Sequence, residues 1–220
     1  MKKRGFTLAE VLITLGIIGV VAALTAPQLV MSSKNEAACS KLATTVSNLE
    51  NAFQNAMVQE EVSALNETRL WTAAAGAATA GQIGRYMHIG NATDNGFFTK
   101  SGVRVAFNKT ASTDRRGNEN AIRTAGGSLL FQIGSVDIFT TPGQADRPGR
   151  NQFRFLIGHD GNLYPTGSLD NAVYNGNGAV AANVRYDKSS NANGGNACNS
   201  TRTTLACTAR IVDDGYKMEY

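Results

Sequence analysis

The sequence predicts an α+β fold, a long N-terminal helix packed on a small antiparallel sheet. Three observations carry that expectation. From Val11 to Ser33, 23 consecutive residues include no charged side chain, enough for a helix across a hydrocarbon core. From Ala38 onward, apolar residues recur every three or four positions, the spacing of one helix face. Beyond residue 100, short alternating segments are separated by Asn-, Gly- and Asp-rich stretches, the pattern of strands and turns. One helix followed by a run of strands is an α+β arrangement.

The first element begins with a short basic leader, Met1 to Gly5, carrying Lys2, Lys3 and Arg4. An ordinary secretory signal peptide has such a charge, then an apolar core of 7–15 residues and a small-residue cleavage site. Here Glu10 interrupts the start of the core, and the uncharged run is longer. The best small-residue site, after Ala26, is followed at once by Pro27, whose fixed ring suits a protease poorly. A membrane anchor fits better, and the basic leader places the N-terminus inside and the rest outside. Glu10 sits near the interface, where a charge costs less than the roughly 2.5–3.5 kcal/mol of the bilayer centre. Thr7-Leu8-Ala9-Glu10 also fits a capping box, in which the acid satisfies orphan N–H groups of the first turn. That reading explains Glu10 without any partner, but not a basic leader ending in Gly5 directly before Phe6.

The segment Gly5-Phe6-Thr7-Leu8-Ala9-Glu10-Val11-Leu12-Ile13 resembles the start of type IV prepilins and of the pseudopilins of type II secretion. That family has a short basic leader ending in glycine, an aromatic first mature residue, a glutamate at the fifth mature position and a long apolar helix. Gly19 and Pro27 fall where many pilins carry a helix-weakening glycine and proline. Ala9 and Val11 depart mildly, standing where bulkier aliphatics are common. The resemblance covers about the first 30 residues.

It implies cleavage between Gly5 and Phe6 by the prepilin peptidase, N-methylation of Phe6, and pairing of Glu10 with the amine of a neighbouring subunit. It implies assembly with identical or other pilin-like subunits through a platform in the bacterial inner membrane, with lipid as the neighbour beforehand. The subunit would cross that membrane once, N-terminus cytoplasmic and head outside, before entering a pilus or a periplasmic pseudopilus. Gly19 and Pro27 would weaken the helix, since glycine costs about 1 kcal/mol there and proline removes a hydrogen bond. Two other readings stay open: a minor pilin whose head binds a ligand or DNA, and an exported domain on a plain anchor that does not polymerise.

The expected organisation is a leader at 1–5, a membrane-spanning and filament-core segment at 6–33, an amphipathic continuation at 34–62 and an exported head at 63–220. In the continuation, Ala38, Leu42, Val46, Leu49, Phe53 and Met57 form one stripe, and Lys34, Glu36, Lys41, Glu50 and Glu60 lie off it. A helix from Phe6 to Val62 would run ~85 Å. Within the head, Trp71–Ile83 is alanine-rich and reads as a short helix, and Gly102–Lys109 reads as a strand. Ser128–Ile133 and Val136–Thr141 read as two strands about a Gly134-Ser135 turn. Phe153–Ile157 and Leu163-Tyr164 read as a hairpin about His159-Asp160-Gly161-Asn162. Asp114–Asn120 and Asn175–Asn196 read as loops.

Of the three cysteines, Cys198 and Cys207 would close a ten-residue loop, worth roughly 2.5–3 kcal/mol by chain entropy. Spacing alone leaves Cys39 free to pair with either. The resemblance favours Cys198–Cys207, because many pilins carry a C-terminal disulfide loop.

Little points to nucleic acid or catalysis. The net charge is +4. Without Lys2, Lys3 and Arg4, 18 basic residues face 17 acids, so no basic stripe remains beyond the short Arg115-Arg116 pair, and nucleic acid is not an expected partner. His88 and His159 lack ligand spacing to a cysteine or to each other. The Lys100-Ser101 pair lacks the phosphate-loop glycine. Gly176-Asn177-Gly178-Ala179-Val180-Ala181 imitates a dinucleotide fingerprint but follows no apolar strand. Asp160 and Asp213-Asp214 have no ligand series around them at calcium-loop spacing. The chain reads as a non-enzyme with neither cofactor nor metal.

Overall fold

The computed structural model of the chain describes residues 7–72, 77–109, 121–123, 129–167, 173–174, 180–181 and 197–220. The cleavage position at Gly5 and Phe6, the Asp114–Asn120 loop and the Arg115-Arg116 pair lie outside them, as does the Asn175–Asn196 stretch except at 180–181.

The chain divides into two compact units, Met1–Ala37 and Ala38–Tyr220. The division falls four residues beyond Ser33. Helix α1 (Leu8–Gln59) is unbroken, with Pro27 in its interior. In the first unit every residue from Thr7 to Lys34 is exposed. A helix that is apolar all round and faces no protein needs a non-aqueous neighbour. By length and composition α1 qualifies as a membrane span.

In the second unit the expected stripe is the core. Ala38, Leu42, Val46, Leu49, Phe53 and Met57 are all buried, Leu42, Leu49 and Phe53 completely. Beyond α1 come a single 3₁₀ turn (Leu65–Glu67) and the short helices α2 (Arg69–Thr72) and α3 (Ala77–Ile83). The one short helix expected over Trp71–Ile83 is therefore two pieces, with residues 73–76 outside the described set.

The sheet is antiparallel, in the order β1 (Ile89–Thr93), β2 (Gly96–Thr99), β3 (Arg104–Lys109), β5 (Leu129–Phe139), β6 (Gln152–Gly158) and β7 (Leu163–Pro165). Strand β4 (Ala121–Arg123) pairs with the first residues of β5. Alternation places Phe97, Val105, Phe107, Val136, Ile138, Phe153, Phe155, Ile157 and Leu163 in the same core as the α1 stripe. Phe107 anchors it, its ring centroid 6.4 Å from Phe53 and 6.0 Å from Phe97. Strands β8 (Val173–Tyr174) and β9 (Val180–Ala181) form a separate pair, so Val180-Ala181 is strand within a stretch expected to be loop.

One sequence expectation is overturned. Gly134-Ser135 is not a turn, because β5 runs through it and pairs Lys109 with Gly134, Asn108 with Ser135 and Phe107 with Val136. The register slips between Gln132 and Gly134 on the β6 side, marking a bulge. Glycine is needed there for close approach: a Cβ would sit 2.7 Å from the Asn108 carbonyl oxygen and 3.0 Å from the Trp71 ring.

The expected hairpin forms, pairing Ile157 with Leu163 and Leu156 with Tyr164. Its turn is held by the Asp160 carboxylate, which accepts the Asn162 N–H (3.2 Å) and the Tyr164 hydroxyl (2.7 Å). Gln54 of α1 donates to the Asp160 carbonyl at 2.8 Å, and Glu50 accepts the Leu163 N–H at 3.0 Å. Burial pushes the Glu50 carboxyl above its ordinary value of 4.5; the Leu163 N–H opposes this and the Asp160 charge adds to it. A raised folded-state pKa means that Glu50 stabilises the fold below the ordinary value and that this contribution is lost as pH rises through the folded value. Glu50→Gln keeps an acceptor for Leu163. It should remove that slope, so that the urea midpoint of the full chain in detergent changes less with pH just above 4.5 than in the parent.

Candidate functional site: the N-terminal segment and the C-terminal staple

Helix α1 starts as a closed capping box. The Thr7 N–H and hydroxyl both donate to Glu10 Oε2, at 2.8 and 2.9 Å, and the Glu10 N–H donates to Thr7 Oγ1 at 3.3 Å. The first turn continues with Val11 N–H to the Thr7 carbonyl at 3.2 Å. Both bonds to the Glu10 carboxylate fall on Oε2, so among the described residues Oε1 accepts none. Glu10 is exposed. Thr7 therefore takes up one oxygen of the carboxylate and not the other. Thr7 and Glu10 both lie beyond the expected cut, so the box belongs to the mature chain as well.

The helix surface that follows suits an apolar surround. Leu8, Leu12, Ile13, Leu15, Ile17 and Ile18 all stand exposed. Its hydroxyls are turned inward: Thr14 donates to the Val11 carbonyl and Thr25 to the Val21 carbonyl, each at 2.9 Å, so neither donor needs water. A Cβ on Gly19 would meet nothing within 4 Å. Neither Gly19 nor Pro27 interrupts the helix in the single chain.

At the other end of the chain, Cys198 and Cys207 are disulfide-bonded, their Cα atoms 5.2 Å apart and both residues fully buried. The bond leads into helix α4 (Cys207–Asp213), which docks on β6 and the turn after β7. The Thr208 hydroxyl accepts the Arg154 N–H at 3.1 Å, and the Ala209 N–H donates to the Thr166 carbonyl at 3.2 Å. Gly149, at φ +75°, leaves room for the disulfide, because a Cβ there would lie 2.7 Å from Cys207 Cβ. Tyr220 closes the tail by donating its hydroxyl to the Gly149 carbonyl, with the Arg150 and Arg210 guanidiniums 5.5 and 4.8 Å from its ring centroid. Sequence reasoning missed this clasp, whose partners are 71, 70 and 10 residues away in the chain. Cys39 is a buried free thiol of the main core, and burial pushes its pKa up to about 11, which keeps it an inert thiol. Replacing Cys207 with serine should cost about 2.5–3 kcal/mol by loop entropy, read as a lower urea midpoint that reducing agent no longer changes.

The other candidate residues sit on the head or fall outside the described residues. Arg210 pairs with Asp214 at 3.4 Å, and Thr99 and Ser101 share a hydrogen bond in the β2–β3 turn at 2.9 Å. His88 is exposed and His159 lies in the β6–β7 turn. Among the described residues no group of three or more His, Cys, Asp or Glu is placed to hold a metal ion. Gly176 to Ala179 lie outside the described residues, and Val180-Ala181 is strand β9.

Comparison with known proteins bears on the first of these sites. Residues 1–26 match the family model described as the prokaryotic N-terminal methylation motif, the prepilin-type cleavage and methylation signal. No curated protein and no solved structure matches the chain. The signal and the apolar helix after it support a type IV pilin- or pseudopilin-like protein anchored in the inner membrane.

Proposed function

We propose that this chain is a structural subunit of a type IV pilus or a type II secretion pseudopilus. It is inserted in the inner membrane with its head outside, cut between Gly5 and Phe6, methylated on Phe6 and drawn into a helical filament. The observation that carries the reading is the prepilin-type signal on residues 1–26 leading directly into a helix whose apolar surface is exposed on every side.

Each step has a physical basis. Lys2, Lys3 and Arg4 hold the leader on the cytoplasmic side, and the small Gly5 lets a protease approach the backbone closely. Cleavage frees an amine on Phe6, the residue directly before the Thr7–Glu10 box. In a dry surround, a carboxylate and an amine attract strongly because the effective dielectric is low. Glu10 holds Thr7 of its own chain through Oε2 and presents Oε1 to the Phe6 amine of a neighbour. A neighbour in the wrong register leaves that charge unpaired, which is expensive. Lipid contacts of the apolar helix are exchanged for helix–helix contacts, so the hydrophobic surface stays covered throughout. The chain is a structural element, not an enzyme, and the work of extraction comes from an assembly machine.

The test is to express the full chain with a prepilin peptidase and an assembly platform, shear the cells and sediment the released fraction. Fibres containing the chain support the reading. A chain that stays entirely in the membrane fraction, with its leader intact, contradicts it.

A further inference from the structure

We propose that the C-terminal strap, residues 215–220, gates a thiol–disulfide exchange inside the head. While the strap is seated, Cys39 is shut away from the Cys198–Cys207 bond; when it lifts, Cys39 attacks Cys207 and frees Cys198. Beyond α4 the tail alternates, with Gly215, Lys217 and Glu219 exposed and Tyr216, Met218 and Tyr220 turned in against the main core. Its last backbone hydrogen bond runs from the Tyr216 N–H to the Ile211 carbonyl at 2.7 Å. Among the described residues the backbone of 217–220 makes none, so side chains alone hold that end down. A segment held in this way opens at far less cost than the sheet beneath it.

Tyr220 stands between the free thiol and the disulfide. It packs against the core cluster that holds Cys39 and also against the separate cluster of Cys198, Ala206, Cys207 and Ala209. Its hydroxyl donates to the Gly149 carbonyl, and Gly149 lies against Cys207, where a Cβ would come within 3.0 Å of Sγ. Cys207 is therefore the sulfur on the Tyr220 side of the bond. Burial pushes the Tyr220 hydroxyl above its ordinary range; the Arg150 charge opposes this, and a charge on Cys39 would add to it, as expected of close neighbours.

The chemistry balances without an outside oxidant. The Cys39 thiol loses its proton to water, and the thiolate attacks Cys207 Sγ. A Cys39–Cys207 bond forms, the Cys198–Cys207 bond breaks, and Cys198 leaves as a thiolate that takes up a proton. One disulfide and one thiol stand on each side of the step, so nothing is oxidised or reduced overall. Arg210 is placed to ease the departure. It donates to the Cys198 carbonyl at 2.7 Å and lies over the Tyr220 ring, with Asp214 sharing its charge at 3.4 Å. The seated strap blocks the step twice. It puts an aromatic ring between the two clusters, and the burial it completes holds the Cys39 pKa at about 11 against an ordinary 9.0. Relief of that burial gives roughly a hundredfold more thiolate at neutral pH. The exchange moves the staple from the tail loop onto α1.

The experiment holds the full chain in detergent at about pH 8, where thiolates are present. The chain is then alkylated in acid and denaturant and mapped by mass spectrometry without reduction. The parent should keep Cys198–Cys207, with alkylation on Cys39 alone. Tyr220→Ala should put alkylation on Cys198 and a Cys39–Cys207 bond in roughly a tenth of the chains or more. Tyr220→Phe, which keeps the ring, and Lys217→Ala, which removes an exposed side chain, should map as the parent does. Adding Cys39→Ser to Tyr220→Ala should remove the label from Cys198. Phe53→Ala lowers the stability of the head and leaves Tyr220 in place, so it controls for exchange through global unfolding. A Tyr220→Ala chain that holds Cys198–Cys207 throughout overturns the inference, and so does a Phe53→Ala chain in which the bond moves as readily.

Discussion

Replacing Glu10 with glutamine should yield a chain that is cut, anchored and helical but does not polymerise. Glutamine serves in a capping box as glutamate does, so the bond from the Thr7 N–H survives and α1 still starts at its usual place. Only the charge is lost. If Glu10 pairs with a neighbour's amine in a dry contact, removing one partner strands the other, at a cost of about 3–5 kcal/mol. That is roughly a hundredfold or more in an association constant, enough to empty the sheared fraction of fibres. Glu10→Ala, which removes cap and charge together, should be no worse in assembly. The variant separates the cap, which bonds Thr7 through Oε2, from the proposed pairing with a neighbour's amine. Fibres from Glu10→Gln at parental yield would leave the cap as the residue's whole function. Fibre yield and the state of the N-terminus are the two readings required.

Truncating Phe53 to alanine should have the largest effect on the head. Phe53 is fully buried on α1, faces Phe107 of β3 and lies beside Gly161 of the β6–β7 turn. It therefore joins the helix to both the middle and the end of the sheet. Large-to-small changes of this kind cost about 3–5 kcal/mol, a large share of the roughly 5–15 kcal/mol that holds a typical domain folded. At about 2–4 °C per kcal/mol for a protein of this size, the melting temperature should fall by roughly 6–20 °C, followed by circular dichroism of the full chain in detergent. Asn51→Ala, exposed on the same helix, should stay within about 0.5 kcal/mol of the parent. A loss below about 1 kcal/mol for Phe53→Ala would mean that residues 38–59 of α1 are not part of the core.

The parts of this fold that were legible in the sequence are those whose signal is local and repeated. Ala38 to Met57 announced a buried face because every third or fourth residue is apolar over five turns. The β6–β7 hairpin was legible because His159-Asp160-Gly161-Asn162 carries its own turn chemistry, down to the Asp160 side chain that closes it. Gly134-Ser135 misled because the same dipeptide serves as a turn or as a gap for a neighbour. What decides between them is Trp71, more than 60 residues earlier in the chain. Strands β1 and β2 were missed although Asp94-Asn95 joins them tightly, since Ile89-Gly90-Asn91-Ala92-Thr93 is a half-exposed edge with little β-branched character.

The functional segment was legible for a different reason. Its order of chemical types — basic leader, glycine, aromatic, acid, apolar run — can be read without any tertiary contact. What sequence left open there was whether the acid serves its own helix or another chain. The structure closes the box without using both oxygens. The disulfide was open in the same way, because Cys39 competes for it on paper. Folding removes that competitor by burying Cys39 in the main core while Cys198 and Cys207 lie beneath Gly149 at the tail.

The most direct test of the whole account is intact and fragment mass spectrometry of the N-terminus, taken from sedimented polymer and from membranes in parallel. The account requires the same end in both: a chain starting at Phe6, carrying one methyl group on its amine, with residues 1–5 gone. A polymer built from chains that still begin at Met1, or a membrane population never cut at Gly5, would contradict it.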